Sequence, residues 1–176
     1  MALVPLLERI LRREGWPDYT EPSDTYPDRG GPTKGGITLT ALRRWRKEPR
    51  ISQRDLRALT KDEALAILRQ RYVGSNGIHL LEETPLFEQV VDNSVLSGPY
   101  LSVCDLQLAL GVYVDGVIGP KTCAAVAAQG AAVRGKLVRT RAMRIVAFVQ
   151  QHPKQLVYLK GWMRRILSFI DGDDHE

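Results

Sequence analysis

Cysteine is scarce in this chain of 176 residues. Cys104 and Cys123 are too few for a disulfide framework and have no metal-ligand spacing, so both read as buried free thiols. The three histidines, His79, His152 and His175, are isolated from one another and from the cysteines, so no metal site and no cofactor is expected. No stretch approaches the ~20 apolar residues of a membrane span. The N-terminus, MALVPLLERILRRE, lacks a basic start and breaks its apolar run at Glu8, which makes it an amphipathic helix rather than a signal peptide. There is no run of strand alternation, no internal repeat and no low-complexity segment. GGPTKGG resembles a phosphate cradle, but it lacks both the Gly-Lys-Ser/Thr ending and a preceding strand, which excludes a nucleotide site of that kind.

What remains is an ordinary globular composition, 44% hydrophobic and 26% charged, with a net charge of +5. That excess of cations suits a polyanionic partner. Periodicity makes the chain mainly α. Leu3, Leu7 and Ile10 form one helix face over residues 3–14. Pro, Gly, Asp and Thr crowd residues 15–37, where a long loop or small hairpin is expected and where a length of that kind points to function. Thr38 caps a helix to about Trp45, while SQRD (52–55) and TKDE (60–63) are capping-box patterns, the second opening a helix to Tyr72. Pro85 starts a helix with Phe87, Val90, Val91 and Val95 on its buried face. Ser97-Gly98-Pro99 is the expected boundary between a lobe at 1–98 and a helical region at 99–176. In the latter, helices are expected over 100–110 (Leu101, Cys104, Leu108 and Leu106 inward), 120–129, 133–151 and 155–170, and DGDDHE reads as an acidic tail.

One carboxylate is out of keeping with its surroundings. Glu14 is the next position on the Leu3–Leu7–Ile10 stripe, directly before the helix-ending Gly15-Trp16-Pro17. Desolvation beside apolar side chains raises a carboxyl pKa, the property a general acid needs. Asp24, Asp28, Thr33 and Thr38 follow on the loop as groups able to position water or stabilise positive charge, although each also suits a turn or a cap. RRWRKEPR (43–50) sets five cations around Trp45. It reads either as a phosphate-tracking strip or, more commonly, as the solvated side of a helix.

These residues resemble a known family. EGW followed by DRGGPTKGGIT is similar to the E-G-G and D-x-G-G-x-T-x-x-G-I-T signature of glycoside hydrolase family 108. VVDNSVLSG and DLQLALGVYVDGVIGPKT are similar to the family's D-x-x-V-x-x-G and L-Q-x-A-L-G…D-G-x-I-G-P-x-T pattern. The resemblance implies a lysozyme-like helical lobe joined to a helical peptidoglycan-binding region, and an N-acetylmuramidase, a phage endolysin or a secretion-linked wall hydrolase. By position it puts the catalytic glutamate on Glu14, with Asp28 and Thr33 beside it and Asp24 as a further candidate. Trp16, Tyr19 and Thr38 become candidate substrate contacts, as do Asp115, Gly116 and Thr122 in the binding region. Trp16 replaces the family's usual second Gly, and the loop to Asp28 is longer than usual. The expected partner is the peptidoglycan glycan strand, with no nucleic acid and no stable membrane association, and the expected state is a monomer. The chain is then expected to be made in the cytoplasm and to act in the periplasm or on the wall. The alternative is a non-catalytic peptidoglycan-binding protein.

Overall fold

In a computed structural model, residues 3–21 and 31–170 are described. The described chain is mainly helical with one small sheet, and it divides into two compact units, 1–71 and 72–176. Asp24, Asp28 and the acidic tail lie outside the described residues.

The first unit begins with α1 (Leu3–Arg13), whose Leu6, Leu7, Ile10 and Leu11 are buried, each contributing about 1.5–3 kcal/mol relative to exposure. Three short strands follow, β1 (Tyr19–Thr20), β2 (Thr33–Lys34) and β3 (Ile37–Thr38), in an antiparallel sheet of order β1-β2-β3. Thr38 then caps α2 (Leu39–Arg46), its hydroxyl accepting from the Ala41 N–H at 3.1 Å. Ser52 opens α3 (Gln53–Arg57), where the Asp55 carboxylate accepts from the Ser52 N–H at 2.8 Å. Thr60 opens α4 (Lys61–Leu68), which packs on α1 and is tied to it by the 2.6 Å Lys61–Glu8 pair. That helix ends four residues before Tyr72, widening into a π turn over Arg69–Val73. Glu63, the capping-box acid, turns away from the cap. Its carboxylate accepts two hydrogen bonds from Arg46, at 2.7 and 2.6 Å, which hold it below the usual carboxylate range. Since Arg43 Nε also donates to Ile51 O at 2.9 Å, two of the five cations of RRWRKEPR serve the fold.

The second unit contains α5 (Pro85–Ser97), α6 (Pro99–Leu110), α7 (Pro120–Gln129), α8 (Ala132–Gln151) and α9 (Leu156–Leu167). Proline opens the first three, and Gly98, at φ +89°, separates α5 from α6. The inward face of α6 is not the expected one. Leu101 and Leu108 are 41% and 58% exposed and Cys104 is only partly covered, whereas Ser102, Val103, Asp105 and Leu106 are buried. Polar pairing selects that face. Ser102 Oγ donates to Val90 O at 2.7 Å, and Asp105 accepts from Asn93 at 2.9 Å and from Arg144 at 2.8 Å. Cys123 is likewise free and partly, not fully, buried.

The same unit encloses a charged centre. Asp92 of α5 takes Arg141 of α8 at 2.8 Å and Arg165 of α9 at 2.9 Å, with Arg141 fully buried. Burial works against the Arg141 charge, and Asp92 opposes that effect. Removing one member of a buried pair strands the other charge, whereas a half-exposed pair is screened by water. Asp92→Ala is therefore expected to lower unfolding free energy by about 3–5 kcal/mol, and Arg46→Ala by less than about 1 kcal/mol. Urea titration of both variants measures the contrast.

Candidate active site

The end of α1 is a Schellman motif built by the letters E-G-W. Gly15 adopts φ +86° and donates to Arg12 O at 3.0 Å, and Trp16 N donates to Leu11 O at 3.1 Å. Glu14 thereby becomes the C-cap residue, its own N–H still bonded to Ile10 O at 2.9 Å. It is half-buried rather than enclosed. The motif turns the chain sharply at Gly15, so the helix stops with the Glu14 side chain at the edge of the apolar stripe.

The β2–β3 turn reaches that edge. Gly35 and Gly36 have φ +53° and +75°, the signs required by a type I′ two-residue hairpin. A Cβ on Gly36 would stand 3.2 Å from Glu14 Cβ and 3.6 Å from Glu14 Oε2. One on Gly35 would stand 2.8 Å from the Trp16 ring and 3.3 Å from Leu11 Cδ1. The Gly35 N–H also donates to Asp18 O at 3.1 Å, joining the turn to the loop after α1. Two distant parts of the sequence therefore meet at Glu14 because neither glycine carries a side chain.

Lys34 anchors this turn. Its Nζ donates to Arg57 O at 2.6 Å and to Leu59 O at 2.9 Å, and lies 4.9 Å from the centre of the Trp16 ring. Arg57 in turn covers Tyr19 at 4.4 Å and pairs with Glu21 at 2.5 Å. Trp16 and Tyr19 are thus each backed by a cation. Strand register sets Thr20, Thr33 and Thr38 side by side in one row, with Tyr19, Lys34 and Ile37 in the other. Ile37 is buried, so its row turns toward the core, with Tyr19 and Lys34 at its outer end only partly covered, and the threonine row faces away. Thr38 is committed to its cap, while Thr33 sits centrally in the row. Sequence reading missed Thr20 and Lys34, and matched Gly36 to the family motif without giving it a part; the Thr-Lys-Gly-Gly-Ile-Thr spacing was the available sign of a hairpin placing them together.

The candidates in the second unit surround a residue not singled out beforehand, Gln107. Its Oε1 accepts from Asp115 N and Gly116 N at 3.1 and 2.9 Å, and its Nε2 donates to Asp115 Oδ1, Val117 O and Thr122 Oγ1 at 2.8, 3.0 and 3.3 Å. The Gln107 hydrogen bond, followed by that from Val117 N–H, lowers the Asp115 pKa. Gly116, at φ +74°, lies under the Tyr100 ring, where a Cβ would collide. Thr122 is buried. Asp115, Gly116 and Thr122 therefore fasten the 111–119 connector between α6 and α7. Asp115 alone of the three stays exposed. Among the described residues no cluster of three or more His, Cys, Asp or Glu is arranged to hold a metal.

The tight Gly36–Glu14 approach has a measurable cost on mutation. Gly111 shares the positive φ, +70°, in a left-handed residue, but opens onto empty space. Gly111→Ala is expected to lose about 1–2 kcal/mol from the left-handed backbone alone. Gly36→Ala adds the contact with Glu14 and is expected to lose more, by chemical denaturation. Equal losses would show that the approach is unimportant.

The model described as Glycosyl hydrolase 108 matches residues 7–98, and that described as Predicted Peptidoglycan domain matches residues 102–167. Among solved structures, that titled "Structure of Brucella abortus SagA" is similar at 30% sequence identity and a TM-score of 0.75, over 94% of this chain and 89% of that one. No curated protein matches the chain. With the glutamate, the hairpin glycines and the Gln107-centred connector falling within those matches, the chain belongs to the glycosyl hydrolase 108 family and is a lysozyme-like peptidoglycan hydrolase with a C-terminal peptidoglycan-binding region.

Proposed function

We propose that this hydrolase is an N-acetylmuramidase that cleaves the β-1,4 bond between N-acetylmuramic acid and N-acetylglucosamine, with Glu14 as the general acid. The observation that carries the reading is the seating of Glu14 at the C-cap of α1, half-buried against the Gly35–Gly36 turn. A proton donor must be held at a fixed place beside the leaving oxygen. Here the Schellman turn fixes the backbone of Glu14 from one side, and the hairpin limits its side chain from the other. As the proton passes to the glycosidic oxygen, the C1–O bond breaks and positive charge develops at the sugar ring. Thr33, at the centre of the outward threonine row, and Asp24 and Asp28 from the 22–30 segment are the groups assigned to water positioning or charge stabilisation. Trp16 and Tyr19, stiffened by Lys34 and Arg57, flank the groove as sugar contacts.

In this reading residues 1–98 form the catalytic part and 99–176 hold the wall polymer. Asp115, Gly116 and Thr122 shape the binding surface through Gln107, and exposed Tyr113, on the connector they fasten, supplies a ring to the glycan. The enzyme acts on the cell wall, as an endolysin or as a secretion-linked hydrolase.

Glu14→Gln removes the transferable proton and preserves the side-chain shape. Turnover of purified peptidoglycan is expected to fall by about 10²- to 10⁴-fold, with sedimentation on the same polymer retained. Mass spectrometry of the released muropeptides identifies the bond cut. Turnover near wild type would remove Glu14 from the role of acid, and wild-type binding without any new reducing ends would favour a non-catalytic wall-binding protein.

A further inference from the structure

Between Gly116 and Ile170 the chain holds ten Lys and Arg residues and no Asp or Glu. Three of the ten, Arg141, Arg144 and Arg165, are neutralised by Asp92 and Asp105 from α5 and α6. Lys160 and Arg164 of α9 have no ion pair among the described residues. The inward side of α9 is accounted for: Ile166 is buried beside Val138 and Ile145 of α8, with Leu159, Trp162 and Phe169 packed against them. The outward side repeats at helical spacing as Leu156, Val157, Lys160, Arg164 and Leu167, with Ile170 just beyond. Leu156 and Val157 are 60% and 73% exposed, and Leu167 and Ile170 are exposed as well. A short helix therefore presents two cations set among four aliphatic side chains, with no acid on the same helix.

That combination discriminates among partners. A second copy would bring the same cations face to face, and like charges oppose association. A nucleic acid satisfies the cations but offers its bases to aromatic rings, and this stripe is aliphatic. A glycan strand has no hydrocarbon phase in which leucine and isoleucine can leave water. An anionic lipid surface answers both parts: headgroup phosphates for Lys160 and Arg164, and the acyl boundary for the aliphatics, with the long cationic side chains reaching back to the headgroups. We propose that α9 docks in the plane of an anionic phospholipid bilayer through Leu156, Val157, Lys160, Arg164 and Leu167, a second attachment beside the wall polymer. No helix among the described residues is long and apolar enough to cross a membrane, so the contact is peripheral.

The test is cosedimentation of the full chain with vesicles of phosphatidylglycerol and phosphatidylcholine, against vesicles of phosphatidylcholine alone. Binding is expected on the anionic vesicles only. Replacing both Lys160→Gln and Arg164→Gln is expected to weaken it by about twenty-five-fold, each surface cation being worth roughly fivefold. Leu156→Ser with Val157→Ser is expected to weaken it severalfold at unchanged charge. Circular dichroism and release of reducing ends from soluble peptidoglycan fragments should match wild type in both variants, which separates a lost surface from a lost fold or a lost activity. Equal binding to the two vesicle types, no binding to either, or anionic binding untouched by both pairs of substitutions would overturn the proposal. So would loss of sedimentation on purified peptidoglycan as the variants' sole defect, or a dimer that the Leu156 and Val157 substitutions dissolve.

Discussion

The candidate active site depends on a place where two backbones come too close for a side chain. Gly35 and Gly36 take positive φ, and their missing Cβ atoms leave room for the Trp16 ring and for Glu14. From that approach the rest follows. The hairpin aligns the three threonines, Ile37 enters the core, and Lys34 is carried to the end of α3, where two carbonyls hold it. Gly15 plays the complementary part on the other side by ending α1 in a left-handed residue. A glutamate at a helix end is ordinarily mobile and solvated. One caught between a Schellman turn and a glycine hairpin has a defined place.

The second unit is organised differently, by charge. Asp92 and Asp105 draw three arginines from α8 and α9 onto α5 and α6, so helices that have apolar faces are also registered by ion pairs. The Coulombic gain of such pairs is offset by desolvation, so their effect is to make alternative packings expensive rather than to add much net stability. Gln107 does the equivalent for an irregular segment, using its amide to satisfy backbone groups that a loop would otherwise leave unpaired. The matching motif letters in this region are thus largely instructions for folding the connector. The same three acid–arginine pairs leave the outer sides of α8 and α9 without acids, which is what gives α9 its cationic, aliphatic surface.

Much of this was legible from residue order. Helix boundaries at Pro85, Pro99, Pro120 and Pro153 followed from proline and glycine punctuation, because those residues restrict backbone dihedrals locally. Glu14 stood out because a charge continued an apolar stripe, and turn chemistry led to a loop or small hairpin over residues 15–37. The orientation of α6 was not legible. Leu101, Cys104 and Leu108 form the more apolar stripe, yet Ser102 and Asp105 go inward to meet the Val90 carbonyl, Asn93 and Arg144, partners that lie between 12 and 39 residues away in sequence.

Sequence by itself determined what depends on neighbours along the chain: the helices and their caps, the left-handed turns, the basic second half and, through its motifs, the family. Tertiary structure alone decided what depends on distant partners. It set Gly36 against Glu14, placed Lys34 between Trp16 and the end of α3, bent Gln107 into the Asp115 loop, and chose the buried face of α6. The physical reason is common to all four. Backbone preference is a property of a residue and its neighbours, whereas the energy of a buried polar group or a close approach depends on which atom stands opposite, and that atom comes from elsewhere in the chain.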